Sequence, residues 1–261
     1  MRQGSRGDQR FEPSSRSGYC PVNDQGHYVA HILPNLMQSD VTAETVAPLY
    51  ERKDEDYFSN PRTELTELIN GHDLRILEIG CGRGETGKKL LASGKARSVT
   101  GIEMLPEQAS MARVAYEDVR GGDVEAMSFD WDAGNFDCFV FGDVLEHLLD
   151  PWRLLKRLRP FLANGGIVVA SIPNVKHWPV IANLVLHDDW RYAESGVLDI
   201  THLRFFTRKN AIRLFSESGY DVEVVRPYFN GRRYSIPSTV TLGVFAGFLA
   251  ERWLIRARAA T

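Results

Sequence analysis

Short uninterrupted apolar runs recur along this chain between stretches of helical spacing, which predicts buried strands alternating with helices. Leu74, Ile76, Leu77 and Ile79 form the first run; Gly80, Gly82 and Gly84 then break it within five residues. Glu85 to Ser93 follows with helix formers and an apolar edge at Leu90 and Leu91, so the unit is strand, glycine turn, helix. The pattern continues with a strand over Ser98–Met104, a helix from Pro106 to about Tyr116, a strand near Asp118–Gly122 and a buried strand over Asn135–Gly142. A helix with Trp152, Leu154, Leu155 and Leu158 on its apolar side is expected over Pro151–Leu162, then a strand over Ile167–Ile172, a helix over Thr207–Gly219 and a strand over Asp221–Tyr228. Asn60 as cap and Pro61 at the first helical position predict a helix ahead of the first strand. Residues 238–250 are expected to be helical, with Phe245 and Phe248 facing the core or a pocket, before a final strand from Arg252.

Residues 1–26 are rich in Arg, Ser, Gly and Gln and poor in aliphatic side chains, so they are read as a disordered tail; residues 27–261 are read as one domain. Of the segment 27–59, the aromatics Tyr50 and Tyr57 are expected to cover the core or, with Arg62, to close over a ligand. A hydrophobic content of 43%, a charged content of 25% and a net charge of −3 give no reason to expect a nucleic-acid partner. Cys20, Cys81 and Cys138 are widely spaced without a CxxC pair, which suits reduced thiols and a cytoplasmic location. The longest apolar stretch, residues 240–250, is too short to span a bilayer.

Glycines let a backbone take positive φ and let a ligand approach closely, and in an open α/β sheet such a turn lies where ligands bind. Glu103, about twenty positions on at the end of the second strand, is placed to accept both hydroxyls of a ribose. At Leu77-Glu78-Ile79-Gly80-Cys81-Gly82-Arg83-Gly84, Gly101-Ile102-Glu103, Gly122-Asp123-Val124 and Phe136-Asp137 through Asp150-Pro151, the chain resembles the class I S-adenosylmethionine-dependent methyltransferases. The resemblance covers about residues 60–260 and implies a Rossmann-like, doubly wound α/β fold: seven strands, mostly parallel, the last antiparallel. It implies S-adenosylmethionine as cofactor, held by Gly80, Cys81, Gly82 and Gly84, with Glu103 and Met104 at the ribose, Asp123 and Val124 at the adenine, and Asp143 near the methyl. Glu78 is expected to meet the methionine ammonium, which argues against a dinucleotide pyrophosphate.

Just past the fourth strand, Glu146 and His147 are candidates for the base that a hydroxyl acceptor needs. Asp143, Glu146 and His147 share i, i+3, i+4 spacing, but the same string is compatible with no metal, and none is assigned. Residues 174–206 are polar and aromatic and are expected to form a substrate lid. There Trp190 and Tyr192 are candidates for stacking on a sugar or ring, Asp199 and His202 for bonding or deprotonating a hydroxyl, Arg204 for a phosphate, and His177 for acceptor contact. Residues 196–207 resemble a methyltransferase subgroup of bacterial glycan and nucleotide-sugar pathways, so the expected acceptor is a hydroxyl of a sugar or phosphorylated glycan precursor. A small aromatic or natural-product acceptor and a non-catalytic cofactor-binding module are the alternatives.

Overall fold

Ile76 faces one side of the central sheet and Leu77 and Ile79 the other, and all three are at most 1% exposed. A strand covered on both faces must be apolar throughout, which is why the sequence shows runs and not alternation. The structure is a computed structural model and describes residues 49–50, 53, 55–230 and 245–260. The expected tail over 1–26, Cys20, most of the segment 27–54 and the first part of the expected 238–250 helix lie outside the described residues.

The elements in chain order are α1 (Glu55–Ser59), α2 (Thr63–Thr66), β1 (Leu74–Ile79), α3 (Glu85–Ala92), β2 (Ala96–Glu103), α4 (Pro106–Ala112), β3 (Asp118–Gly121) and β4 (Phe136–Gly142). They are followed by α5 (Pro151–Leu158), β5 (Leu162–Pro173), α6 (Trp178–His187), α7 (Arg208–Glu217), β6 (Tyr220–Tyr228), α8 (Ala246–Leu249) and β7 (Arg252–Ala259). The sheet order is β3-β2-β1-β4-β5-β7-β6, parallel through β5, with β7 antiparallel to both β5 and β6. The expected doubly wound sheet is therefore present. Leu154, Leu155 and Leu158 of α5 and Leu214 and Phe215 of α7 pack on one face; Leu65 of α2, Leu90 of α3 and Ala109 of α4 pack on the other.

The chain leaves β1 toward β2 on one side and β4 on the other, so the switch point lies between the carboxyl ends of β1 and β4, with Ile79 opposite both Ile102 and Phe141. This is where open α/β sheets bind ligands. Several boundaries differ from expectation. The helix ahead of β1 begins at Thr63, with Arg62 and not Asn60 at its start, because the Arg62 amide donates to Thr86 Oγ1 (3.1 Å) and ties this entry to α3. α5 stops at Leu158, since Pro160 has no amide hydrogen to continue it. Helix α6 inside the expected lid was not foreseen; it is apolar, yet Val185 and Leu186 are exposed. Phe245 and Phe248 are also exposed, not turned to the core, and Lys176 lies over the Phe248 ring.

Gly87 of α3 marks the tightest packing under the loop: its amide donates to Tyr116 Oη (3.0 Å), and a Cβ there would stand 2.2 Å from that oxygen. Gly87→Ala must displace Tyr116, so we expect a loss of about 1–3 kcal/mol, read as a lowered thermal midpoint.

Candidate active site

Gly80 and Cys81 both donate to the Ile102 carbonyl (2.8 and 3.1 Å), which draws the glycine loop onto the end of β2. Gly80 has φ +66°, and a Cβ would lie 2.6 Å from Val144 Cγ2; Gly82 has φ +53°, and a Cβ would lie 2.8 Å from the Phe58 carbonyl oxygen. The loop is thus pinned between β4's exit and the α1 segment, and only glycine fits. Glu103 is buried, and its carboxylate accepts from the amides of Gly82 (2.8 Å) and Leu105 (3.0 Å). A carboxylate has about four acceptor sites, so these amides do not exhaust it. Met104 follows it, half-buried. Val124 is buried, and the half-buried Asp123 accepts from the Glu125 amide (2.8 Å), closing its own turn.

Glu78 departs from expectation. It is 4% exposed, and the Tyr116 hydroxyl donates to it from beneath the loop. Burial pushes its pKa up to about 7, against hydrogen bonds from Tyr116, Thr86 and Gly87. Glu78, expected at the methionine ammonium, is engaged by Tyr116 and braces the loop from below.

Asp143, at φ +56°, leaves β4 in a conformation that L residues rarely adopt. Its carboxylate meets Arg62 Nη2 (2.9 Å) and Arg252 Nε (3.2 Å) and accepts from the Ser171 hydroxyl. Burial alone would raise its pKa; Arg252 and Arg62 more than offset this and hold it below the usual carboxylate value. Asp143, Arg62 and Arg252 wall a cavity of about 700 Å³ that is also lined by Tyr57, Glu146, His147 and His202.

Glu146 is 1% exposed, and neither carboxylate oxygen has a hydrogen-bond partner among the described residues. Burial and then the charge of Asp143 raise its pKa well above the usual value. His202 Nε2 stands 3.8 Å from Glu146 Oε1, beyond hydrogen-bond distance. His147 Nδ1 is 3.1 Å from the Thr201 carbonyl and His202 Nδ1 is 3.0 Å from the Val197 carbonyl. A carbonyl only accepts, so both Nδ1 atoms carry the proton and both Nε2 atoms keep a lone pair. Burial lowers the His147 pKa to about 4 and, more mildly, that of His202. The rings meet edge to face at 4.7 Å, and Tyr50 lies 5.9 Å from the His147 ring.

The structure gives Asp199 a different part from the expected proton transfer. Its carboxylate accepts from Lys53 Nζ (2.6 and 2.7 Å), the Thr201 amide (2.9 Å) and the Thr201 hydroxyl (2.8 Å). Lys53 and Thr201 hold its pKa low despite burial. Asp199 therefore fixes the turn whose carbonyls orient the two histidines. Arg204 donates to the Leu149 carbonyl and Trp190 and Tyr192 contact Phe205, while His177 caps the start of α6; none of these four, expected at the acceptor, is among the residues lining this cavity. Lys53, Ser171 and Arg252 belong to the site and were missed, for each reaches it across the sheet or from another segment, with no local motif to mark it.

A methyltransferase-domain family matches residues 50–225. Two "Ubiquinone biosynthesis O-methyltransferase" proteins are similar: that of Cereibacter sphaeroides (strain ATCC 17029 / ATH 2.4.9), 27% identical over 60% of this chain and 64% of its own length; and that of Xanthomonas axonopodis pv. citri, 30% identical over 38% of this chain and 43% of its own. The chain thus spans less than two thirds of these relatives. A Mesorhizobium loti S-adenosylmethionine-dependent methyltransferase superposes with TM-score 0.54 over 78% of this chain and 98% of its own at 16% identity. An Archaeoglobus fulgidus methyltransferase gives 0.55 over 78% and 96%, also at 16%. Fold and loop define the class I methyltransferase architecture. The chain belongs to the methyltransferase-domain family. The residues would fit S-adenosylmethionine: the Glu103 carboxylate, which its amide donors do not exhaust, stands at the end of β2 against the glycine loop, placed to accept from a ribose. Cys81 and Cys138 are free buried thiols, and no helix among the described residues is long and apolar enough to cross a membrane.

Because the folded-state pKa of Glu78 lies above its unfolded value, the folded chain holds the extra proton. Stability from this source is full below about pH 4.3 and is lost as pH rises through about 7. Glu78→Gln removes that loss, so relative to the parent the variant should gain up to about 3 kcal/mol between pH 4 and pH 8. Denaturant midpoints across this range check it.

Proposed function

We propose that this domain methylates a hydroxyl oxygen of a small aromatic acceptor bound in the cavity beneath residues 194–202. The observation that carries this reading is the convergence, on one cavity, of lone pairs from Glu146, His147 and His202 with the aromatic ring of Tyr57, which Tyr50 backs from behind the lining through contacts to both Tyr57 and His147. Attack by a hydroxyl requires a group to take its proton or stabilise the developing oxyanion, and such groups belong beside the oxygen. A flat ring edge-on to Tyr57 would bring its hydroxyl to them.

S-adenosylmethionine supplies a methyl carbon on a sulfonium. The chain's share is position and exclusion of water, worth roughly 7–11 kcal/mol when reacting atoms are aligned. The loop and Glu103 hold the nucleoside side; Tyr57 and the Asp199-braced turn close the acceptor side. The sugar or phosphorylated acceptor expected from the sequence loses its main support, since Arg204 is turned to Leu149 and Arg62 and Arg252 are engaged by Asp143. The similarity to O-methyltransferases of ubiquinone biosynthesis supports oxygen as the atom methylated.

Incubation with labelled S-adenosylmethionine and a panel of dihydroxybenzoates, simple phenols and nucleotide sugars should label the dihydroxybenzoates and phenols. Label entering the nucleotide sugars alone would overturn the aromatic reading. Glu103→Ala should weaken calorimetric binding of S-adenosylmethionine by at least tenfold, from loss of about 1.5–3 kcal/mol in a charge-assisted bond; equal affinity would remove Glu103 from the cofactor contacts.

A further inference from the structure

Glu146, His147 and His202 offer one donor atom each, and the three atoms all lie within 4.8 Å of one another. We propose that they form a binding site for one divalent transition-metal cation, of the zinc, cobalt or manganese type, at the wall of the acceptor cavity. Bonds of about 2.0–2.2 Å from a central ion place neighbouring ligand atoms roughly 3–4.3 Å apart, so shifts of a few tenths of an ångström assemble the shell.

Three further observations support the site. Both Glu146 oxygens are buried and lack a partner among the described residues, a state that is costly unless something pairs with them. Arg62 and Arg252, whose charges act on Glu146, form their ion pairs with Asp143. Both imidazoles are locked by Nδ1–H bonds to backbone carbonyls, which leaves Nε2 to coordinate; metal-binding histidines are held in this way by an outer layer of acceptors. That outer layer is itself fixed, since Asp199 receives Lys53 and both donors of Thr201.

The composition of the site follows from the same contacts. Asp143 has the spacing to join but is taken by two arginines and Ser171, so the shell holds two nitrogens and one carboxylate. Two imidazoles favour a borderline cation over magnesium or calcium, which prefer oxygen donors. All three residues line the cavity, so the remaining coordination positions face the acceptor. A cation there would bind the acceptor oxygen and favour its deprotonated form. This role rests on the proposed O-methylation; the binding itself does not.

The test is cobalt titration of the full chain after removal of metal with a chelator, read by visible d–d absorption. One saturating equivalent, displaced by zinc, is expected; Glu146→Gln and His202→Gln should each weaken cobalt binding at least tenfold, while His187→Gln, at an exposed position on α6, should leave it unchanged. Circular dichroism and S-adenosylmethionine affinity establish that each variant is folded, and if one is not, the other decides. Absence of saturable cobalt absorption, or undiminished binding in the folded variants, would overturn the site. Methyl transfer is not part of this readout, so failure here leaves the proposed activity standing, and failure of the acceptor panel leaves the metal site standing.

Discussion

A single carboxylate, Asp143, carries the architecture of the cavity. It sits where the chain turns off β4 at positive φ, and Arg62 from the segment before the sheet, Ser171 from β5 and Arg252 from β7 all converge on it. A buried charge survives only when paired and hydrogen-bonded, and removing one member leaves the others stranded at a cost of about 3–5 kcal/mol. The requirement that Asp143 be neutralised thus draws three distant pieces of chain to one point. It also decides what Asp143 can no longer do, because a carboxylate spent on two guanidiniums is lost to other ligands.

The other acids at the carboxyl edge of the sheet differ in kind. Glu103 is buried but fed by backbone amides, and Glu78 is buried but bonded to Tyr116. Glu146 alone among these four is buried without a hydrogen-bond partner among the described residues. Local rules of polar satisfaction are broken where a protein does chemistry, and here the breach falls on the cavity wall.

How far this was legible in the sequence follows from the range of the interactions. Strands β1, β2 and β4 announce themselves by apolar runs, and the glycine loop by residues whose φ only glycine tolerates; these are local facts, and sheet and loop came out as read. The lid was legible as a segment but not in its parts. Asp199, His202, Arg204, Trp190 and Tyr192 are equally polar or aromatic on paper, yet two line the cavity, Asp199 held there by Lys53, and three turn to backbone or to Phe205. Nothing in the spacing separates these fates, because each depends on a partner remote in the chain. Arg252 lies 109 residues beyond the carboxylate it neutralises, and Lys53 lies 146 residues before its own, both far outside any local signal.

The Lys53–Asp199 pair fastens the stretch ahead of the sheet to the turn that orients His147 and His202. Both side chains are only 2% exposed. A version of the chain cut back to begin at β1 would keep every strand of the sheet while losing Lys53, Tyr57 and Arg62 together. It would leave Asp199 and Asp143 with buried charge and too few partners. The same cut would take Leu65, Leu68 and Ile69 out of the core, so the segment ahead of β1 serves fold and site together, and the border of this domain is drawn by electrostatics as much as by the hydrophobic core.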